Sequence, residues 1–134
     1  MNATSDDPRA SAAPSDAELA VLKCFWRDGA LSAREVHTRI GAELDWTVST
    51  TRTVLERMRA KGLLTRNEVH GMAVYATAQA KVTVIGGLMR RLSAMLEIDG
   101  PLPASAFSGS QLLDADDIAA LEKALADQTP KDPS

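Results

Sequence analysis

The sequence predicts a mainly α-helical fold carrying one small β-hairpin, and three observations predict it. Two Ser-x-x-Glu boxes, Ser15 to Glu18 and Ser32 to Glu35, each open a run of apolar residues at helical spacing. From Trp46 to Gly62 the period is again 3.6, with one apolar and one polar face. After Gly62 the period falls to two on either side of His70-Gly71, then returns to helical from Ala80 onward.

Bulk properties narrow the classes. A chain of 134 residues is one domain, or a small domain with an appended segment. Its net charge of −3 argues against a generally basic nucleic-acid binder. That average hides an asymmetry. Between Trp46 and Arg66 stand Arg52, Arg57, Arg59, Lys61 and Arg66 against Glu56 alone, whereas the chain beyond Gln111 is acidic. Cys24 is the single cysteine, so no intramolecular disulfide or cysteine-rich metal cluster is expected; inside an apolar helix it reads as an inert core residue. No apolar run reaches membrane-spanning length, and the acidic N-terminus lacks a secretion-signal layout, so membrane insertion is not expected and the expected compartment is the cytoplasm. There is no glycine-rich phosphate loop, and Cys24, His37 and His70 have no activating or ligating partners in sequence. No catalytic residue, metal or cofactor is expected.

Residues 1–14 are small, polar and proline-containing, and read as a disordered leader. The first box opens a helix through about Asp28, with Leu19, Leu22, Cys24, Phe25 and Trp26 apolar and Gly29 ending it. The second opens a short helix with Val36 and Ile40 facing inward and Gly41 near its end; His37 takes a surface or cap role. Gly41 to Trp46 is a brief connection into the next helix. There Thr47 is the N-cap, Gly62 the C′ residue, and Val48, Thr51, Val54, Leu55 and Met58 form the inner face. Its outer face carries Ser49, Arg52, Thr53, Glu56 and Ala60, bordered by Arg57, Arg59 and Lys61. Short hydroxyls let backbone and base edges approach, and arginine can fork onto a guanine, so this face has the chemistry to enter a major groove. Two short helices joined by a tight turn make a helix-turn-helix, and the hairpin that follows supplies a wing, with Arg66, Asn67 and His70 beside the phosphate backbone. Glu56 is the odd member. It can accept from a cytosine amino group, or pair with Arg52 one turn back.

Beyond the wing, Val82, Ile85, Leu88, Met89, Leu92, Met95 and Leu96 recur at helical spacing, interrupted by Gly86-Gly87, which are expected to permit close approach of another backbone. Gly100, Pro101 and Pro103 break that helix, Leu102 to Phe107 form one short turn, and Asp114 caps a last helix presenting Ile118, Leu121 and Leu125. These apolar faces, at Ile85, Leu88, Met89, Leu92, Met95, Leu96, Ile118, Leu121 and Leu125, are most economically covered by a second copy, which would set two reading helices about 34–36 Å apart on DNA. The expected layout is a leader over 1–14, a winged helix-turn-helix domain over 15–79, a helical dimerisation domain over 80–127 and a flexible tail over 128–134.

The chain resembles the BlaI/MecI/CopY family of bacterial repressors, which includes the penicillinase and methicillin-resistance repressors. The resemblance is carried by S-D-A-E-L-A-V-L-K-C-F-W from Ser15, A-R-E-V from Ala33, D-W-T-V-S-T-T-R-T-V-L-E-R-M-R-A-K-G-L-L from Asp45, and the wing with Gly71 and Tyr75. It implies a homodimeric repressor of a palindromic double-stranded operator, with DNA contacts at Thr47, Ser49, Thr50, Arg52, Thr53 and Arg57. To these the charge pattern adds Lys61, Arg66 and His70. Copper-responsive members carry C-terminal C-x-C motifs; this chain has none, which disfavours metal sensing of that type. Antibiotic-responsive members are relieved through a membrane metalloprotease sensor and cleavage at an Asn-Phe bond. The counterpart here is Ala106-Phe107, keeping Phe and losing Asn. The alternative from the residues themselves is a winged-helix module that binds protein without sequence-specific DNA binding.

Overall fold

A computed structural model describes residues 13–100 and 104–126, and divides the chain after Gln79 into two compact units. The expected leader lies outside the described residues except for Ala13 and Pro14, as do Leu102 and the whole expected tail.

The first unit begins with helix α1 (Asp16–Asp28). Ser15 Oγ accepts from the Glu18 N–H at 3.2 Å and Glu18 Oε1 accepts from the Ser15 N–H at 3.0 Å, so the first capping box is fully formed. Gly29 ends the helix at φ 81, its N–H reaching the Phe25 carbonyl. A two-residue strand β1 (Leu31–Ser32) follows, and Ser32 then opens α2 (Ala33–Val36) with a second reciprocal box to Glu35.

The second helix runs further than the sequence indicated. It passes through a π-helical turn (His37–Gly41) into α3 (Ala42–Leu44). Gly41 therefore sits mid-helix and does not end it. The reason is steric: a Cβ at Gly41 would overlap the His37 ring, so the glycine makes room for an imidazole within its own helix. The stop comes at Asp45, in the left-handed region at φ 58. Asp45 N–H bonds the Ala42 carbonyl and Trp46 N–H the Gly41 carbonyl, the two bonds of a Schellman closure.

Helix α4 (Val48–Ala60) starts from Thr47, whose hydroxyl accepts from the Thr50 N–H at 3.0 Å. Gly62 at φ 86 and the bonds from Gly62 to Arg59 and from Leu63 to Met58 close it in the same way. Strands β2 (Leu64–Val69) and β3 (Met72–Thr77) pair antiparallel in register from Leu64 opposite Thr77 to Val69 opposite Met72. His70 and Gly71, at φ 52 and 78, make the two-residue turn with both central residues left-handed, the type I′ geometry whose twist matches the strands. On its other side β3 takes β1, giving a three-stranded sheet in the order β1-β3-β2. The unit's core is formed by Val21, Leu22, Phe25, Val36, Ile40, Leu55, Met58, Leu63, Leu64 and Tyr75. Thr51, Leu55 and Met58 are the buried face of α4, while Val48 and Val54 stand half-buried at its margins.

The second unit holds α5 (Lys81–Met95), a 3-10 turn (Ala104–Phe107) and α6 (Ala115–Ala126). Helices α5 and α6 pack on each other, with a Leu121 methyl 3.6 Å from where a Cβ on Gly86 would lie. What Gly86 admits is thus a side chain of the same chain and not another backbone. Lys81 Nζ ties the pair together, 2.8 Å from Asp117 Oδ2 and 3.0 Å from the Leu112 carbonyl. Asp114 caps α6 reciprocally with Asp117.

Candidate nucleic-acid interface

The polar face of α4 is as the periodicity drew it. Ser49, Thr50, Arg52, Thr53 and Arg57 are all exposed, and Arg52 and Arg57 take part in no ion pair among the described residues. Thr47 is exposed but committed, capping the helix and donating to the Thr50 hydroxyl at 3.1 Å. The face is held at its inner side by a chain of polar contacts. Thr51 Oγ1 donates to the Thr47 carbonyl at 3.0 Å and lies 3.3 Å from His37 Nδ1. Because the hydroxyl proton is already spent on Thr47, the imidazole Nδ1 is the donor in this contact. His37 is therefore a half-buried brace between the two helices of the helix-turn-helix, a role more specific than the surface or cap position expected for it.

Two of the cations counted toward DNA are otherwise engaged. Lys61 Nζ sits 2.7 Å from Glu18 Oε1 and 3.4 Å from the Ala13 carbonyl, joining the end of α4 to the start of α1. Burial favours the protonated form of the Glu18 carboxyl, but the Lys61 ammonium and the Ser15 donors outweigh it and hold its pKa below the ordinary value. Lys61 is thus paired, unlike Arg52 and Arg57, which have no ion pair among the described residues. Arg66, on β2, lies with its Nε 3.6 Å from Glu56 Oε2.

Glu56 also departs from expectation. It does not pair with Arg52. Its Oε1 accepts from Arg59 Nε at 3.1 Å and Nη2 at 2.9 Å, and its Oε2 accepts from the Tyr75 hydroxyl. The Tyr75 hydrogen bond first, then Arg59, hold this carboxyl below its usual range; burial and the same bond push the Tyr75 phenol up. Glu56 therefore links α4 to both strands of the wing.

Arg34, Arg52 and Arg66 rim a cleft of about 760 Å³ between α2, α4 and the wing, with Tyr75 and Met72 on its walls. Arg34 is a cleft residue the sequence reading did not single out; it is the third residue of the second capping box, exposed one position before Glu35. His70 is exposed at the wing tip, flanked by exposed Val69 and Met72.

The residues assigned to pairing of two copies divide into two sets. Ile85, Leu121 and Leu125 are buried within the chain itself, and Leu88, Met89 and Ile118 are half-buried. Leu92, Met95 and Leu96 stay exposed, at 41%, 72% and 60%, joined by Ile98 at 39%. Phe107 is buried at the end of its 3-10 turn, whereas Ala106 is exposed. Among the described residues no cluster of three His, Cys, Asp or Glu side chains is arranged to hold a metal ion, and no helix is long and apolar enough to cross a membrane.

Comparison with known proteins agrees with this arrangement. The chain is 30% identical over 113 residues to the transcriptional regulator BlaI of Mycobacterium tuberculosis, in both strain CDC 1551 / Oshkosh and strain ATCC 25618 / H37Rv, a match covering 84% of this chain and 82% of the relative. The profile of the penicillinase repressor family matches residues 14–127. With the helix-turn-helix, its hairpin and the helical second unit all inside that span, the chain belongs to the penicillinase repressor family of transcriptional regulators.

Proposed function

We propose that the protein represses transcription as a homodimer on a palindromic operator, reading base edges in the major groove with Ser49, Arg52, Thr53 and Arg57. The observation that carries this reading is the exposed outer face of α4, where Arg52 and Arg57, without an ion pair among the described residues, stand among short hydroxyls. Thr47, Thr50 and His70 lie where phosphates would pass, and Arg34 edges the cleft between helix and wing, where Arg66 is paired with Glu56. Pairing uses the exposed apolar stripe of Leu92, Met95 and Leu96, flanked by Leu88 and Met89, while Ile85, Leu121 and Leu125 form the core that holds each half together. Linking two weak half-sites makes the second contact intramolecular, so separating the two copies collapses affinity. Repression is therefore relieved by whatever opens the second unit, including cleavage near Ala106-Phe107 after a membrane metalloprotease sensor has fired. The buried Phe107 means such cleavage first requires the 3-10 turn to open.

The test is selection from the protein's own genome. Sheared genomic DNA is incubated with the purified full chain, and the fragments retained at moderate salt are sequenced. A small set of promoters sharing an inverted repeat is the expected result. Fragments without a shared motif would overturn the operator reading and favour a protein-binding module.

A further inference from the structure

We propose that Glu56 is a specificity-determining residue, a carboxylate that withholds Arg59 and Arg66 from the phosphate backbone and disfavours DNA without a complementary base beneath it. The proposal rests on the operator-binding reading above.

Three features support it. Both carboxylate oxygens are engaged from three elements, α4, β2 and β3, by Arg59, Arg66 and Tyr75. Tyr75 is only 4% exposed, so its hydroxyl is fixed, and swinging the carboxylate away would strand that donor. Glu56 is thereby pinned one turn beyond Arg52 and Thr53, on the face offered to DNA. A phosphate approaching Arg59 or Arg66 must displace a carboxylate already in place. Generic binding comes from phosphate contacts, so withholding two cations falls hardest on generic DNA. The same negative charge is repelled by the acceptor edges of guanine and thymine and tolerated by amino groups of cytosine or adenine, a repulsive element of specificity.

The experiment compares Glu56→Gln with wild type by fluorescence anisotropy, on the selected operator duplex and on a scrambled duplex of equal composition, across a salt series. Glutamine keeps an acceptor for Tyr75 and removes the charge. The expected result is about tenfold tighter binding to the scrambled duplex, with a log-log salt slope steeper by about 0.9 for each phosphate gained, and a smaller change on the operator. Tyr75→Phe keeps the charge and the Arg59 pair but unpins the carboxylate, and its ratio should fall between those of wild type and Glu56→Gln. Replacing Arg59 and Arg66 together by Gln leaves Glu56 untouched and should leave the wild-type slope unchanged. An unchanged Glu56→Gln ratio, a Tyr75→Phe protein that reproduces the Glu56→Gln effect, or a shallower slope in the double arginine variant would each overturn the proposal while wild type still selects its operator. A wild-type protein that does not discriminate the two duplexes overturns the operator reading, and this proposal with it.

Discussion

The two ends of α4 put their cations to different use. Its first turns present Thr47, Ser49, Thr50, Arg52 and Thr53 to solvent with no acidic residue among them. Its last turn and the loop beyond carry Arg57, which has no ion pair among the described residues, and Arg59 and Lys61, both bound to carboxylates, at Glu56 and Glu18. Charge on a helix is not the same as charge available to a ligand. At the N-terminal end Arg52 has no ion-pair partner among the described residues; at the C-terminal end Lys61 fastens the helix to α1 and Arg59 is held by Glu56, which itself reaches the wing.

The sharpest way to break this contrast is to remove the cation of the first turns. Arg52→Ala should weaken operator binding by about 1–3 kcal/mol and relax base preference at one position per half-site, while the melting temperature stays close to wild type. Unchanged operator affinity in a titration would move the reading surface elsewhere. Removing a bound cation should do the reverse. Lys61→Met should cost about 1–3 kcal/mol of stability in denaturant unfolding, because it leaves the buried Glu18 carboxylate without its partner, and should leave the salt slope of DNA binding as it was.

The same pair sets a pH limb. Glu18 has its folded pKa below the ordinary 4.5, so its contribution is fully present above that value and is lost as pH falls through the folded one. Acid unfolding should therefore be steeper in wild type than in Lys61→Met below about pH 4.5, and parallel curves there would contradict the Glu18–Lys61 assignment. A smaller effect is expected at the start of the helix. Thr47→Ala loses the cap to Thr50 and should cost about 1 kcal/mol, with Thr47→Ser recovering most of it. The smallest is Arg59→Gln, where an exposed pair is lost and stability should move by only a few tenths of a kcal/mol in the same unfolding assay.

Local chemistry was legible from sequence because each signal sits within a few residues. Both Ser-x-x-Glu boxes, the Thr47 cap, the Gly62 stop and the His70-Gly71 turn appear where the residue types demand them. What escaped was either too short or too distant. Strand β1 is two residues long, too brief to show alternation, and exists only because β3 offers it an edge. The extension of the second helix to Leu44 depends on Gly41 accommodating a ring four residues earlier, which inverts the usual reading of glycine as a stop. Lys61 finds Glu18 across 43 residues, and Glu56 finds Tyr75 across 19, so helical spacing offered Arg52 as the partner and the sheet supplied another. In the second unit the apolar periodicity was right, but it could not separate residues that α5 and α6 bury in each other from those left on the surface.

The contact between Gly41 and His37 has an evolutionary corollary. A side chain at position 41 and a ring at position 37 compete for one space, so neither position drifts alone. In an alignment of relatives, sequences that replace the histidine by a small residue should be those that admit alanine or larger at the glycine. The pair would then stand out as covarying although neither residue lies on the exposed face of α4. Its lineage history would report how firmly the two helices are braced, independently of which operator each descendant came to read.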